Sequence, residues 1–516
     1  MHSSELSKKR IGFIIFGLML SVLLAALDST IVGTAMPKVI NDLQGMEYYA
    51  WPFTAYMLCS TIGIPIFGKL ADIYGRKPIF FIGIILFLVS SAFSGLSQSM
   101  TQLIVFRGLQ GIGGGILMSS SLQVVGEIFP PSERGKYMGL VMSAFGLASI
   151  FGPTLGGFIT DNLNWRWVFY VNLPVGLLTM IVMFYALPYK KLGGAKRAID
   201  YLGALTLIIA LVPMLLAFSW AGKHHAWLSP QILGMLGFSL ILLIVFTMVE
   251  SKASEPIIPL SLFRNSIFVT SILAGFLSNA LMFSTVVYIP LFVQGVIGAS
   301  ATSSGMVTTP MMLSQVITGI ITGQIISRTG KYKSLAVLSF IITIGGMVLL
   351  SRMGVGTTNS WIVLSMIVTG IGIGITMPVF SISVQNAFPL NQLGVATSGL
   401  MFFRNIGGTI GTAVFGSVMI SSMTHGLSNL DLSRFPAQMK GLIQNPQRLT
   451  NPDTINAIKS QISPDLLPSF NSLMTQVKTV LASSIHDVFF VGIFIAVAGF
   501  ITILFLKEIS LKTSSH

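Results

Sequence analysis

Long apolar runs separated by short polar turns fill most of the 516-residue chain. A helix needs about 20 apolar residues to cross the hydrocarbon core of a bilayer. On that ruler about fourteen spans follow one another, near 11–36, 49–69, 78–97, 102–128, 135–160, 166–188, 199–219, 229–250, 267–294, 303–327, 333–352, 360–386, 394–422 and 485–507. One long polar stretch interrupts them, 423–484, with Pro436, Pro446, Pro452, Pro464 and Pro468. It is expected as an outer loop, either a small accessory structure or disordered. The pattern predicts an all-α integral membrane protein.

The spans repeat. Gly68 and Gly75 recur as Gly323 and Gly330, and Gly152, Thr154 and Gly156 recur as Gly407, Thr409 and Gly411, always 255 residues on. Two motifs in one register predict two six-helix pseudo-repeat bundles, spans 1–6 and 9–14, with two inserted helices between them. The expected division is 1–190 for the N-terminal bundle, 191–262 for spans 7 and 8 with their linkers, and 263–516 for the C-terminal bundle with its outer loop. Transporters built from repeats place their substrate near the midplane between the halves.

Composition fits this picture. Only 9% of residues are charged and mean hydropathy is +0.82, against roughly a quarter charged in soluble domains. The net charge of +14 sits in short loops without interleaved aromatics, so it does not describe a nucleic-acid surface. Of 30 Lys and Arg, 19 fall on the side of the N-terminus and only four in the short opposite loops: Lys38, Arg166, Lys223 and Arg352. The positive-inside bias predicts both termini in the cytoplasm. Lys8, Lys9 and Arg10 precede an apolar run too long for a signal core, which reads as span 1. Cys59 is the only cysteine, which leaves no intrachain disulfide and no thiolate metal site. The glycine clusters at 111–115 and 370–374 lack a following Lys-Ser/Thr and lie inside spans, so they form no phosphate loop. No cofactor or metal is expected; the energy source is an ion gradient.

Polar residues inside spans are the candidates for chemistry. Asp28 is the one acid placed well inside a predicted span. A carboxylate at that depth costs several kcal/mol unless it faces a cavity, pairs or takes up a proton, and proton uptake there is what a coupled carrier needs. Arg107 in span 4 lies at nearly the same depth and is its natural counter-ion, with Gln110 three residues on. Arg404 and Asn405 fall near the middle of span 13, where Arg404 is open to pairing with a substrate anion, with carbonyls or with Asp28 across a cavity. Gln315 in span 10 completes the cavity candidates. Glu127, at the cytoplasmic end of span 4, reads as interfacial.

Glycine-bounded motifs mark the moving parts. Residues Gly68 to Lys77 form a tight charged turn between spans 2 and 3, with Lys69, Asp72, Gly75, Arg76 and Lys77. Its later copy has Ser327 in place of Asp72. Small residues spaced by four let helices approach closely, and proline permits a bend. Span 5 combines both in Gly146, Gly152, Pro153, Gly156 and Gly157, as a hinge or seal would. Asn164, Trp165, Arg166, Trp167, Tyr170, Asn172, Pro174 and Gly176 open span 6.

The turn resembles the signature loop of the major facilitator superfamily, and the run from Arg107 to Gly115 resembles its span-4 motif, whose arginine is implicated in proton movement. The span-5 run resembles the antiporter motif of its exporters. With the span-6 string and the two inserted spans, the chain resembles the fourteen-span drug:proton antiporters of the multidrug efflux type over nearly its whole length. Some cation exporters of that family carry further carboxylates in spans 10 and 13; here span 10 has Gln315 and span 13 has no acid. The resemblance implies proton-coupled export of lipophilic compounds by alternating access, with Asp28 and Arg107 in proton coupling. It also implies a non-enzymatic, monomeric, multi-pass protein of the cell membrane. The rival readings are a dedicated exporter of one metabolite, peptide or lipid, and a non-transporting membrane sensor. Asp72 is expected to accept hydrogen bonds at the start of span 13, where a helix N-terminus favours an anion.

Overall fold

The computed structural model describes residues 7–43, 51–188, 200–221, 225–253, 256–299, 301–389, 392–430 and 467–510. Helices carry nearly all of it. The first bundle comprises α1 (Lys8–Leu43), α2 (Trp51–Tyr74), α3 (Arg76–Gly95), α4 (Met100–Ile128), α5 (Pro131–Asn162), the single turn α6 (Trp167–Tyr170) and α7 (Asn172–Ala186). A hairpin follows, α8 (Tyr201–Trp220) and α9 (Pro230–Lys252). The second bundle comprises α10 (Ser266–Leu291), α11 (Ala301–Thr329), α12 (Lys333–Ser351), α13 (Asn359–Ala387), α14 (Leu393–Ser428) and α15 (Leu467–Leu504).

Among the described residues, twelve helices are long and apolar enough to cross a membrane, counting α6 and α7 as one. The predicted fourteen differ by two. In α5 the apolar positions are diluted by glycine, serine and threonine, and the apolar run of α8, Leu202–Phe218, is short. Outward faces are apolar: α9 exposes Leu233, Phe238, Leu240, Ile241, Ile244 and Met248. Its buried residues are Ile232, Ser239, Phe246 and Glu250, one narrow seam that packs on α8. Inside, hydroxyls return to their own helix, as when Ser21 donates to the Gly17 carbonyl and Thr179 to that of Val175.

The two bundles use the same close contacts. On α4, a Cβ at Gly111 or Gly115 would come within 3.0 Å of the Tyr56 and Ser60 carbonyls of α2. On α13, a Cβ at Gly370 or Gly374 would meet the Met311 and Gln315 carbonyls of α11 equally closely. Both charged turns also depend on a left-handed glycine, Gly75 at φ 97° and Gly330 at φ 70°. The halves meet along α5 against α11 and α2 against α14, and α8 of the hairpin leans on α2 and α14.

The last predicted span is too short. α14 continues to Ser428 and α15 begins at Leu467, so 423–428 and 467–484 are helix rather than loop. Phe470, Leu473, Met474, Val477 and Leu481 recur at helical spacing and are all buried, an amphipathic signal hidden among polar residues. The rest of the predicted outer loop, 431–466, lies outside the described residues.

Candidate functional site

Asp28 sits in α1 with no exposed surface and three side-chain donors around it. Arg107 Nη1 donates to Oδ2 at 2.5 Å, while Gln110 Nε2 and Asn172 Nδ2 donate to Oδ1 at 2.8 and 2.9 Å. Arg107 also donates to Gln110 Oε1 at 2.9 Å, and its guanidinium lies over the Tyr56 ring, 4.4 Å from the centroid. Asn172 bonds Ser91 Oγ at 3.0 Å, which in turn donates to the Phe169 carbonyl. One carboxylate thus ties α1 to α4 and α7, with α2 and α3 behind them. Such extra bonds offset the cost of burying the pair, although Arg107 Nε and Asn172 Oδ1 are themselves buried without a partner among the described residues.

Two residues on, Thr30 donates to the Ala148 carbonyl of α5 at 3.2 Å. A Cβ at Gly152 would collide with the Thr30 hydroxyl. Of the predicted span-5 glycines, Gly152 therefore faces the helix that carries Asp28. Farther along α5, Gly146 lies against Val316 and Gly139 against Ile320, both on α11 of the other half. Gly156 is buried, and its carbonyl accepts from Thr160. The surroundings of Pro153 and Gly157, and the side chain of Asp72, lie outside the described residues; their backbone is helical.

At the end of the bundle that carries the 68–77 turn, the halves are closed on each other. Arg76 Nη1 donates to Gln123 Oε1 at 2.6 Å, and its Nε pairs with Glu127 at 3.3 Å. Gln123 Nε2 passes the link on to Ser398 Oγ at 2.5 Å, in the second turn of α14. Gly68 makes room for the same serine, and Gly126 of α4 lies against Gln385 of α13. The start of α14 is thus gripped through Gly68 and Gln123. Lys77 turns elsewhere: its ammonium bonds the Phe184 carbonyl at 2.6 Å, near the C-terminus of α7, where a cation is favoured. Glu127, read as interfacial, is the ion-pair partner of Arg76.

The remaining candidates lie in the second half. Gln315, with Met142, Phe145, Gly146, Met377 and Ser381, lines a cavity between α4 and α5 on one side and α11 and α13 on the other. Arg404 is buried on α14 against Gly275 of α10, and its backbone carbonyl accepts from Asn279 at 2.8 Å. It does not pair with Asp28, which one of the expected pairings required. Asn405 is half-buried beside it and joins none of these networks.

A match to the family model of the Major Facilitator Superfamily spans residues 18–412. The chain belongs to the major facilitator superfamily. Among the relatives of this facilitator, the multidrug transporter protein MdtP of Bacillus subtilis (strain 168) is 41% identical over 99% of this chain and 95% of its own length. Multidrug resistance protein 3 of the same organism is 37% identical over 100% and 99%. The efflux pump FUS6 of Gibberella moniliformis is 30% identical over 98% of this chain and 90% of its own length. Two solved structures share the fold at low identity. The human organic anion transporter MFSD10 (TETRAN) has a TM-score of 0.61 at 15% identity, covering 95% of this chain and all of its own. A double-tryptophan variant of XylE has a TM-score of 0.62 at 14% identity, covering 98% of each chain.

Sequence reasoning named Asn172 only as part of the span-6 string and passed over Tyr56, Gln123 and Ser398. Asn172 and Gln123 are polar residues within apolar spans, a signal that was present. Nothing local marks Tyr56 or Ser398, whose roles come from helices far apart in the chain.

Proposed function

We propose that this facilitator exports lipophilic compounds from the cell in exchange for protons, by alternating access of a cavity between its two bundles. In this reading all fourteen spans cross the cell membrane, both termini lie in the cytoplasm, and the chain works as a monomer without a cofactor or covalent chemistry. The similarity to multidrug transporters and an efflux pump supports export. The observation that carries the mechanism is the buried Asp28–Arg107–Gln110–Asn172 network, set beside α5.

The argument runs through charge and packing. With Asp28 ionised, its three donors hold α1, α4 and α7 in one arrangement. A proton arriving from the acidic side neutralises the carboxylate, releases Arg107 and weakens the hold on α1. Thr30 of α1 lies on Gly152 of α5, and α5 forms one of the two long seams with the other half. A change at Asp28 therefore reaches the surface on which the halves rock, and at the closed end the Arg76–Gln123–Ser398 link is the contact to be broken. Only a proton that binds the two states unequally shifts their balance.

Reconstitution tests the reading. In proteoliposomes with an imposed proton gradient, lipophilic compounds are expected to move uphill with a matching proton flux. Flux that ignores the gradient, or none across a panel of neutral, cationic and anionic lipophiles, overturns it.

A further inference from the structure

We propose that Arg404 is the point at which the cargo site recognises negative charge, so that the exported compounds include lipophilic anions such as sulfonates and carboxylates. This rests on the export reading above and names its substrate class.

Arg404 is only 7% exposed, and its Nη1 is buried without a hydrogen-bond partner. A buried guanidinium in that condition is costly unless an anion reaches it. The fold supplies none nearby: α10, α11, α12, α13 and α14 contain no Asp or Glu. Asp28 is committed to Arg107. With that pair neutral as a whole, Arg404 leaves the middle of the bundle with one uncancelled positive charge.

Its placement is built rather than incidental. The aliphatic stem lies on Gly275, where a Cβ would sit 3.0 Å from its Cγ. Gly275 shares a face of α10 with Ser271 and Ser278, which bond Ser383 and Thr376 of α13 at 3.2 and 3.1 Å. The arginine is therefore held where α10, α13 and α14 converge. α13 is also a wall of the cavity between the halves, through Gly374, Met377 and Ser381. Methionine and phenylalanine on the opposite wall, Met142 and Phe145, suit a variable apolar body. Arg404 is not itself in that lining. A planar guanidinium one helix behind the α13 wall, whose Nη1 has no partner among the described residues, suits the acidic group of a molecule that extends past that wall. A cationic cargo meets no acid on α10 to α14; the acid of α15, Asp487, accepts from Ser422 near the far end of α14.

A matched pair of fluorescent probes tests this. Anilinonaphthalene sulfonate carries the anionic group, and N-phenylnaphthylamine is the same skeleton without it; a rhodamine cation is the third arm. Gradient-driven export of each is measured in proteoliposomes holding wild type, Arg404→Gln or Arg404→Lys. The expected result is that wild type exports the sulfonate, that Arg404→Gln slows it about tenfold or more, as for loss of a charged hydrogen bond, and that the amine stays within about twofold. Arg404→Lys is expected to retain part of the sulfonate flux. The sulfonate should also raise the melting temperature of wild type, and not that of Arg404→Gln.

The proposal falls if wild type exports the amine and the rhodamine but not the sulfonate, or if Arg404→Gln slows all three alike. If Arg404→Gln does not fold, the wild-type melting shift decides, and no excess of sulfonate over amine overturns the proposal. Transport of none of the three, with no proton exchange, overturns the export reading itself.

Discussion

On α4 and on α13, two glycines spaced by four admit the carbonyls of a neighbouring helix, Tyr56 and Ser60 in one half, Met311 and Gln315 in the other. At the level of buried charge the correspondence stops. Asp28 in the first half accepts from three side-chain donors, whereas Arg404 in the second has a buried Nη1 that finds no acceptor among the described residues. The halves repeat what lets helices pack in lipid, where small residues and close approach replace the hydrophobic effect. They do not repeat the surroundings of their buried charges. A charge that is satisfied within its own half suits a switch, since one proton undoes it. A charge left unsatisfied suits a docking point, since something from outside must complete it.

The largest effect is expected from the switch. Asp28→Asn keeps the shape of the side chain and some of its hydrogen bonds but cannot gain or lose the proton. Uphill export in proteoliposomes should fall by at least about 100-fold, equivalent to about 2.7 kcal/mol, while downhill exchange of the same compound survives. Full uphill transport by the variant would mean that the first half is not the coupling half, and Glu127 would be the next acid to replace.

Packing should fail symmetrically. Gly111→Val and Gly370→Val each push a branched side chain into a facing backbone carbonyl. Overpacking of this kind costs about 1–3 kcal/mol, so both variants should lose several degrees in thermal melting, by similar amounts. A loss confined to one of them would show that the equivalence of the two seams is superficial.

The sequence made the architecture legible because bilayer thickness fixes the length of an apolar run, and because a repeat offset of 255 carries Gly75 onto Gly330, both of which are left-handed in the structure. Asp28 and Arg107 were readable as partners because they are opposite charges at nearly the same depth, where pairing offsets the cost of burial. Asn172 was visible only as a polar residue in an apolar span; its aim at Asp28 depends on how α7 turns against α1. The Gln123–Ser398 bond joins residues 275 apart, and no local pattern encodes it. The outer turns of α15 were missed for another reason: they are amphipathic against protein, and hydropathy averaged along the chain cannot distinguish that from a loop.

The smallest and most discriminating effect concerns the two turns. The first, at 68–77, reaches across to the other half through Arg76, Gln123 and Ser398. Its copy stays at home: Glu508 accepts from the Tyr332 and Lys333 amides at the start of α12, and Tyr332 donates to the Lys507 carbonyl. In the proposed cycle the first contact breaks when the closed end opens, whereas the second holds a tail to its own bundle. Gln123→Ala removes a bond to a charged group and one to a hydroxyl, so it should shift the balance toward the open state by about 1–2 kcal/mol, roughly 5- to 30-fold in population. Glu508→Ala should leave that balance unchanged, although the tail frays. The measurement is the rate at which a membrane-impermeant maleimide, applied from the side of the 68–77 turn, modifies a cysteine placed in the cavity by Ser381→Cys in a Cys59→Ser background. Faster labelling with Gln123→Ala alone supports a gate built on one half. Equal acceleration by both variants would mean that the degenerate turn still takes part in closure, and that the asymmetry between the halves is one of charge only.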